Sequence, residues 1–232
     1  MPGPGHVAAE PLRRDARRNR ERLIAAAREV FAELGLSASL EEIARRAEVS
    51  IGTLYHRFES RTGLIDAALA DRVEASVRLA EDALADPDPW RGLIGHLTAI
   101  AEWQADDRGF TEVCVYALPA DSTTEIAKAR GHAATAKLID RAHQAGALRA
   151  DVGLADLSLL VWAVVRATEG LRPAQPEAWR RHLAILFDGL RAETAHPLSG
   201  TPLDAASVQA AMTFQHTVQE RPRASSQRIL AP

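Results

Sequence analysis

Cysteine is almost missing from this chain. Cys114 stands alone among 232 residues. No internal disulfide can form, and that usage fits a reducing cytoplasm. No apolar run approaches the roughly 20 residues needed to span a bilayer. The Pro-, Gly- and Arg-bearing start has no apolar core, so it is not expected to act as a signal peptide. There is no Gly-rich phosphate loop, no GxSxG elbow and no HExxH motif. No CxxC or HxxxH pair offers a metal two ligands. These absences argue against an enzyme and leave no catalytic residue, cofactor or metal to nominate. Strand-like alternation and internal repeats are missing too, so the expected fold class is all-α, with about nine or ten helices. Lysine occurs twice against 26 arginines, a hint of GC-rich coding rather than of function.

What remains is an ordinary globular composition, 47% hydrophobic and 25% charged, long enough for one or two domains with a sizeable core. The net charge of −3 conceals an asymmetry. Residues 1–72 hold 12 Arg and 11 acidic residues; the remainder holds 14 Arg, 2 Lys and 20 acidic residues. The positive excess lies near the start, where Arg13, Arg14, Arg17, Arg18, Arg20 and Arg22 face only Asp15 and Glu21. A local basic patch of this kind suffices for non-specific DNA contact, although alone it also reads as a solvated arm.

The most informative stretch is residues 39–61. Ser39 can cap a first short helix, and Glu42 can reach back to complete a capping box. Leu40, Ile43, Ala44 and Ala47 then share one helical face. Glu48, Val49 and Ser50 form a turn, and Ser50 can cap a second helix. There Ile51, Leu54 and Phe58 point inward, leaving Gly52, Thr53, Tyr55, His56 and Arg57 largely outward. Such a helix is poorly built for mere solubility. It is well built to approach a phosphate backbone and donate hydrogen bonds.

The run from Val49 to Phe58, followed by Glu59-Ser60-Arg61, resembles the helix-turn-helix of the TetR family of transcriptional regulators. The upstream helix ending Phe31-Ala32-Glu33-Leu34-Gly35 fits the same family, and the likeness covers roughly residues 17–70. Arg57 stands where the family usually has His, with His56 before it. Arg61 replaces a usual Lys, and Thr62 a usual acidic residue. The resemblance implies a recognition helix over 50–57 in the major groove. Ser39, Tyr55, Arg57 and Arg61 are then expected to anchor phosphates, and Ile51, Gly52, Thr53 and His56 to meet base edges. Whether His56 or Arg57 faces the backbone stays open.

The chain therefore divides into a disordered basic arm (1–14), a helix-turn-helix domain (15–62), a ligand-binding and dimerisation domain (63–195) and a tail (196–232). A supporting helix is expected from near Asp15 to Gly35, and a long connecting helix from Arg61 to about Ala85. Further helices are expected at about 89–105, 109–118, 122–145, 154–170 and 176–194, with a short one at 204–218. The family resemblance implies a homodimer, and a single recognition helix reads too few bases to stand alone. Helices 154–170 and 176–194 are apolar enough to supply the interface as a four-helix bundle; the same faces can instead close the monomer core.

An effector pocket is expected among residues 61–170. Its candidates place polar tips among apolar bulk: His96, Trp103, Phe110, Glu112, Cys114, Tyr116, His132, Trp162, Arg166 and Glu169. Arg166 and Glu169 are also spaced to pair with each other. The expected function is a small-molecule-responsive repressor acting on a palindromic double-stranded operator, with no membrane partner. The alternative is a ligand-independent, architectural or nucleoid-associated DNA-binding protein.

Overall fold

The computed structural model describes residues 9–204, 207 and 208. Helix α1 (Ala9–Leu34) is followed by α2 (Leu40–Arg46), α3 (Ile51–Arg57) and α4 (Arg61–Leu84). Then come α5 (Pro89–Asp106), α6 (Arg108–Val113), α7 (Thr123–Gln144), α8 (Leu154–Thr168) and α9 (Ala178–Gly189). Short 3-10 turns cover Glu169–Leu171 and Ala192–Thr194. Among the described residues there is no strand, only a single bridge between Leu148 and Arg191. No described helix is long and apolar enough to cross a membrane.

Capping side chains set most starts. Ser39, Ser50, Ser60 and Ser122 each accept a backbone N–H from the first turn that follows. Asp88 accepts from Trp90 and Arg91, with Pro89 at the first helical position, where its missing N–H costs nothing. Gly35 ends α1 at φ +82°, a conformation that glycine adopts without steric cost.

Three boundaries differ from the sequence reading. Helix α1 begins at Ala9, so residues 9–14 are helical rather than disordered. Pro11 falls in the first turn, where it is tolerated, and no glycine interrupts the arginine-rich run behind it. Helix α6 stops at Val113, because the chain tightens there and Val115 N–H bonds back to Glu112. Helix α9 covers only 178–189. Pro176 precedes it, and beyond Gly189 the backbone pairs with residues 147–149. Residues 1–8 and most of the expected 204–218 helix lie outside the described residues.

Two apolar cores result. The first joins Leu23, Phe31, Ile43, Leu54, Leu64 and Ile65 to Phe110 and Val113 of α6. The second packs the far half of α4 and α5 against α7, α8 and α9, around Leu93, Leu138, Leu157, Trp179 and Leu183. Each fully buried side chain of this size contributes about 1.5–3 kcal/mol. Helix α4 runs through both cores and packs along α7 more extensively than any other helix pair does. At about 1.5 Å per residue its 24 residues reach roughly 36 Å, enough to bridge the two.

Gly109 lets α6 lie directly on α1. A Cβ there would stand 2.9 Å from the backbone carbon and the Cβ of Phe31. Gly109→Ala should therefore lower stability by about 1–3 kcal/mol in urea unfolding, with helix content unchanged. An unaltered midpoint would show that the two helices do not approach this closely.

Candidate functional site

The reading surface is small. Helix α3 has seven residues, too few to be stable alone. It is held by Leu54, only 1% exposed, with Phe58 buried and Ile51 packed against the same core. The Ser50 hydroxyl accepts Thr53 N–H at 3.1 Å and meets the Thr53 hydroxyl at 2.9 Å. Gly52, Tyr55 and His56 are exposed, Tyr55 at 60%. Thr53 and Arg57 are half-buried, and Nε of Arg57 is shielded. The turn before α3 passes through Glu48 at φ +53°, an uncommon conformation for a residue with a Cβ. The Glu48 carboxylate is held 2.5 Å from Arg22 of α1.

Around this helix, arginines are met by carboxylates. Glu42 takes Arg45 and Arg46 at 2.8 Å, and Arg46 also takes Glu33 at 2.7 Å. Hydrogen bonds from Arg45 first, then Arg46, pull the Glu42 carboxyl down to about 2. That carboxylate is thus spent on its own helix, so Ser39 caps Glu42 N–H at 3.1 Å with no reciprocal half of a capping box.

Behind the reading surface, the connection between α1 and α2 is clamped from two sides. Glu112 of α6, 6% exposed, accepts the Leu36 amide at 2.5 Å and Arg108 Nε at 2.9 Å. Gly35 makes room for it, since a Cβ there would fall 2.5 Å from the carboxylate. From the other side, Arg61 at the start of α4 donates to the carbonyls of Leu36 and Ala38, with Nε 3.1 Å from the former. The clamp spans both sides of the connection that sets where α2 and α3 lie.

Further along, a cavity of about 200 Å³ opens between α4, α5, α7 and α8. His96, Phe110, Cys114 and Trp162 line it. Its far wall carries Lys128, His132 and Thr135 of α7. Burial pushes His96 down to about 4 and the Cys114 thiol up to about 12, so both are neutral.

Two family models match this chain. "Bacterial regulatory proteins, tetR family" matches residues 23–68, and "Transcriptional regulator SbtR-like, C-terminal domain" matches residues 88–192. The HTH-type transcriptional regulator UidR of Escherichia coli is 42% identical over 72 residues, 30% of this chain and 37% of that relative's length. A TetR transcription regulatory protein from Mycobacterium vanbaalenii is 34% identical, covering 78% of this chain and 99% of that one, with a TM-score of 0.45. A TetR transcriptional regulator from Streptomyces coelicolor is 30% identical, covering 74% and 98%, with a TM-score of 0.50.

The chain belongs to the TetR family of transcriptional regulators.

Of the five α3 residues expected to face outward, Gly52, Tyr55 and His56 are exposed, while Thr53 and Arg57 are half-buried. His56 is the more exposed of the pair with Arg57. Arg61, expected at the phosphates, donates here to the carbonyls of Leu36 and Ala38, which lie beside the first turn of α4. Of the effector candidates, His96, Phe110, Cys114, His132 and Trp162 line the cavity. Trp103, Glu112, Tyr116 and Arg166 do not. Trp103 lies under the Arg72 guanidinium, 3.6 Å from ring centre to carbon, and edge-on to Phe110. Glu112 faces α1, Tyr116 packs on the first core, and Arg166 meets Glu169 at 2.6 Å. Sequence reasoning missed Gln104, Lys128 and Thr135, which have no motif around them.

Two outcomes follow from the clamp. Arg61→Ala should cost about 1.5–3 kcal/mol of stability, the range for hydrogen bonds to a charged group, and leave the salt slope of DNA binding unchanged. A slope flattened by about one unit would return Arg61 to the phosphates. Glu112→Ala should accelerate hydrogen exchange at the Leu36 amide of the full chain without deprotecting α8. Unchanged exchange at Leu36 would remove the clamp.

Proposed function

We propose that this TetR regulator is a small-molecule-responsive repressor that binds a palindromic operator as a homodimer. The observation that carries the reading is α3. A short helix leaves Gly52, Tyr55 and His56 in solvent while Leu54 and Phe58 fix it to the core. Gly52 permits close approach to the groove. Tyr55 and His56 supply donors in its last turn, with Ile51 and Thr53 in its first. Ser39 and Ser50 place helix N-termini toward phosphate, where backbone N–H groups favour an anion.

Pairing of heads follows from α8 and α9. Ile185 is 57% exposed on α9 with Leu186 beside it, apolar positions that the monomer core does not use. Burying that face against a second copy places two recognition helices on half-sites about 34–36 Å apart. The cavity supports an effector, and α6 supplies its route to the head. Phe110 forms cavity wall while Glu112, two residues on, holds the α1–α2 connection. An effector shifts operator affinity only as far as it prefers one arrangement of that joint over the other. The same cavity weighs against a purely architectural role.

Replacing Tyr55 with Ala should weaken binding to a palindrome selected from random duplexes by about tenfold or more, read by fluorescence anisotropy. Helix content by circular dichroism should not change. Wild-type affinity in the variant would sink the assignment.

A further inference from the structure

The cavity wall restricts what can occupy it. His96 of α5 and Thr135 of α7 meet with Nε2 3.1 Å from Oγ1. The Thr135 hydroxyl in turn donates to the Gly131 carbonyl at 2.9 Å. A carbonyl can only accept, so both contacts are hydrogen bonds together only when the hydroxyl proton goes to Gly131 and Thr135 accepts from Nε2–H. In a neutral imidazole the other nitrogen, Nδ1, is then a bare acceptor. His96 is 6% exposed, and its Nδ1 is buried with no partner. Burial holds the ring neutral across the physiological range, and the Thr135 contact sets its tautomer. Gln104 also lines the cavity, and its Oε1 is buried without a partner. Buried polar atoms in native proteins are nearly always paired, and an orphan acceptor such as Nδ1 calls for a donor.

The cations nearby do not answer an anion. Lys128 Nζ is ion-paired with Glu125 at 2.5 Å and donates to the carbonyls of Tyr116 at 2.8 Å and Val113 at 3.3 Å. Its three protons are taken. His132 is pushed toward its neutral form by desolvation and by Lys128. Val73, Leu97, Ile100 and Phe110 make much of the remaining wall apolar.

We propose that the cavity selects an uncharged, mostly apolar molecule bearing a hydroxyl group, which donates its proton to Nδ1 of His96. This inference rests on the effector reading above and names the class of effector. A carboxylate brings charge without a free cation and lone pairs against a lone pair. A bare hydrocarbon leaves Nδ1 unpaired. Selectivity between such ligands is steep when the site's own polar group would be stranded.

The full chain can be titrated calorimetrically with 2-naphthol, naphthalene and 2-naphthoate. The alcohol should bind about tenfold to a hundredfold tighter than the hydrocarbon, and the carboxylate most weakly. His96→Phe should erase the preference for the hydroxyl while naphthalene still binds. The unaltered protein, labelled at its histidine nitrogens, gives a readout that needs no variant. Nδ1 of His96 should resonate as an unprotonated nitrogen and shift when 2-naphthol is added. Equal or tighter binding of naphthalene or 2-naphthoate, no binding of 2-naphthol, or a protonated Nδ1 would each overturn the inference. If 2-naphthol binds with the stated preference but leaves the palindrome occupied, the inference stands and the effector reading fails. Release of DNA by a ligand without a hydroxyl does the reverse.

Discussion

The short connection between α1 and α2 is the joint on which the molecule depends. Its amide at Leu36 is taken by a buried carboxylate on α6, and its carbonyls at Leu36 and Ala38 by the guanidinium that starts α4. Removing a charged group from water costs several kcal/mol unless its hydrogen bonds are replaced. Leu36 N–H and Arg108 both meet the Glu112 carboxylate there. The connection, α4 and α6 are therefore satisfied together or not at all. This turns three helix ends into one rigid corner and fixes the pose of two helices that are too short to hold themselves.

The same corner explains how a cavity near the middle of the molecule can matter to the reading surface. Helix α6 has six residues and two obligations, Phe110 toward the cavity and Glu112 toward the head. Gly109 removes the slack between α6 and α1, since nothing larger fits against Phe31. With close packing on one side and a buried ion on the other, a small displacement of α6 is not absorbed locally. Helix α4, which belongs to both cores, is a second physical link between them.

Much of this was legible where the information is local. Serine caps, the Gly35 stop, the turn before α3 and the inward set Ile51, Leu54 and Phe58 follow from spacing and short-range hydrogen bonding. What could not be read was which distant group answers a given polar side chain. Arg61 looks like a phosphate ligand because it is a cation at a helix start, and no local pattern reveals two carbonyls 23 and 25 residues earlier. Trp103 looked like a pocket group because it joins apolar bulk to a polar tip, and Glu112 because it sets a polar group among apolar ones. The partners that claim them, Leu36 and Arg72, lie in other helices. Thr135 was passed over because a lone threonine in a helix carries no signal until His96 faces it.

The distribution of arginines around α3 bears on how such a head can discriminate. Arg22, Arg45 and Arg46 are each met by a carboxylate of the same head. Their long-range pull on DNA is thus partly cancelled, and with it the sequence-independent part of binding. Exposed pairs of this kind are worth only about 0–1 kcal/mol, so Arg45 can leave Glu42 for a phosphate at little cost once contact is made. Arg61 has no such freedom, because releasing it would strand two carbonyls behind the helix. The head therefore separates arginines that can change partner on contact from one that holds the frame. In the homodimer proposed above, discrimination is left to the exposed residues of α3 and to the spacing of the two copies.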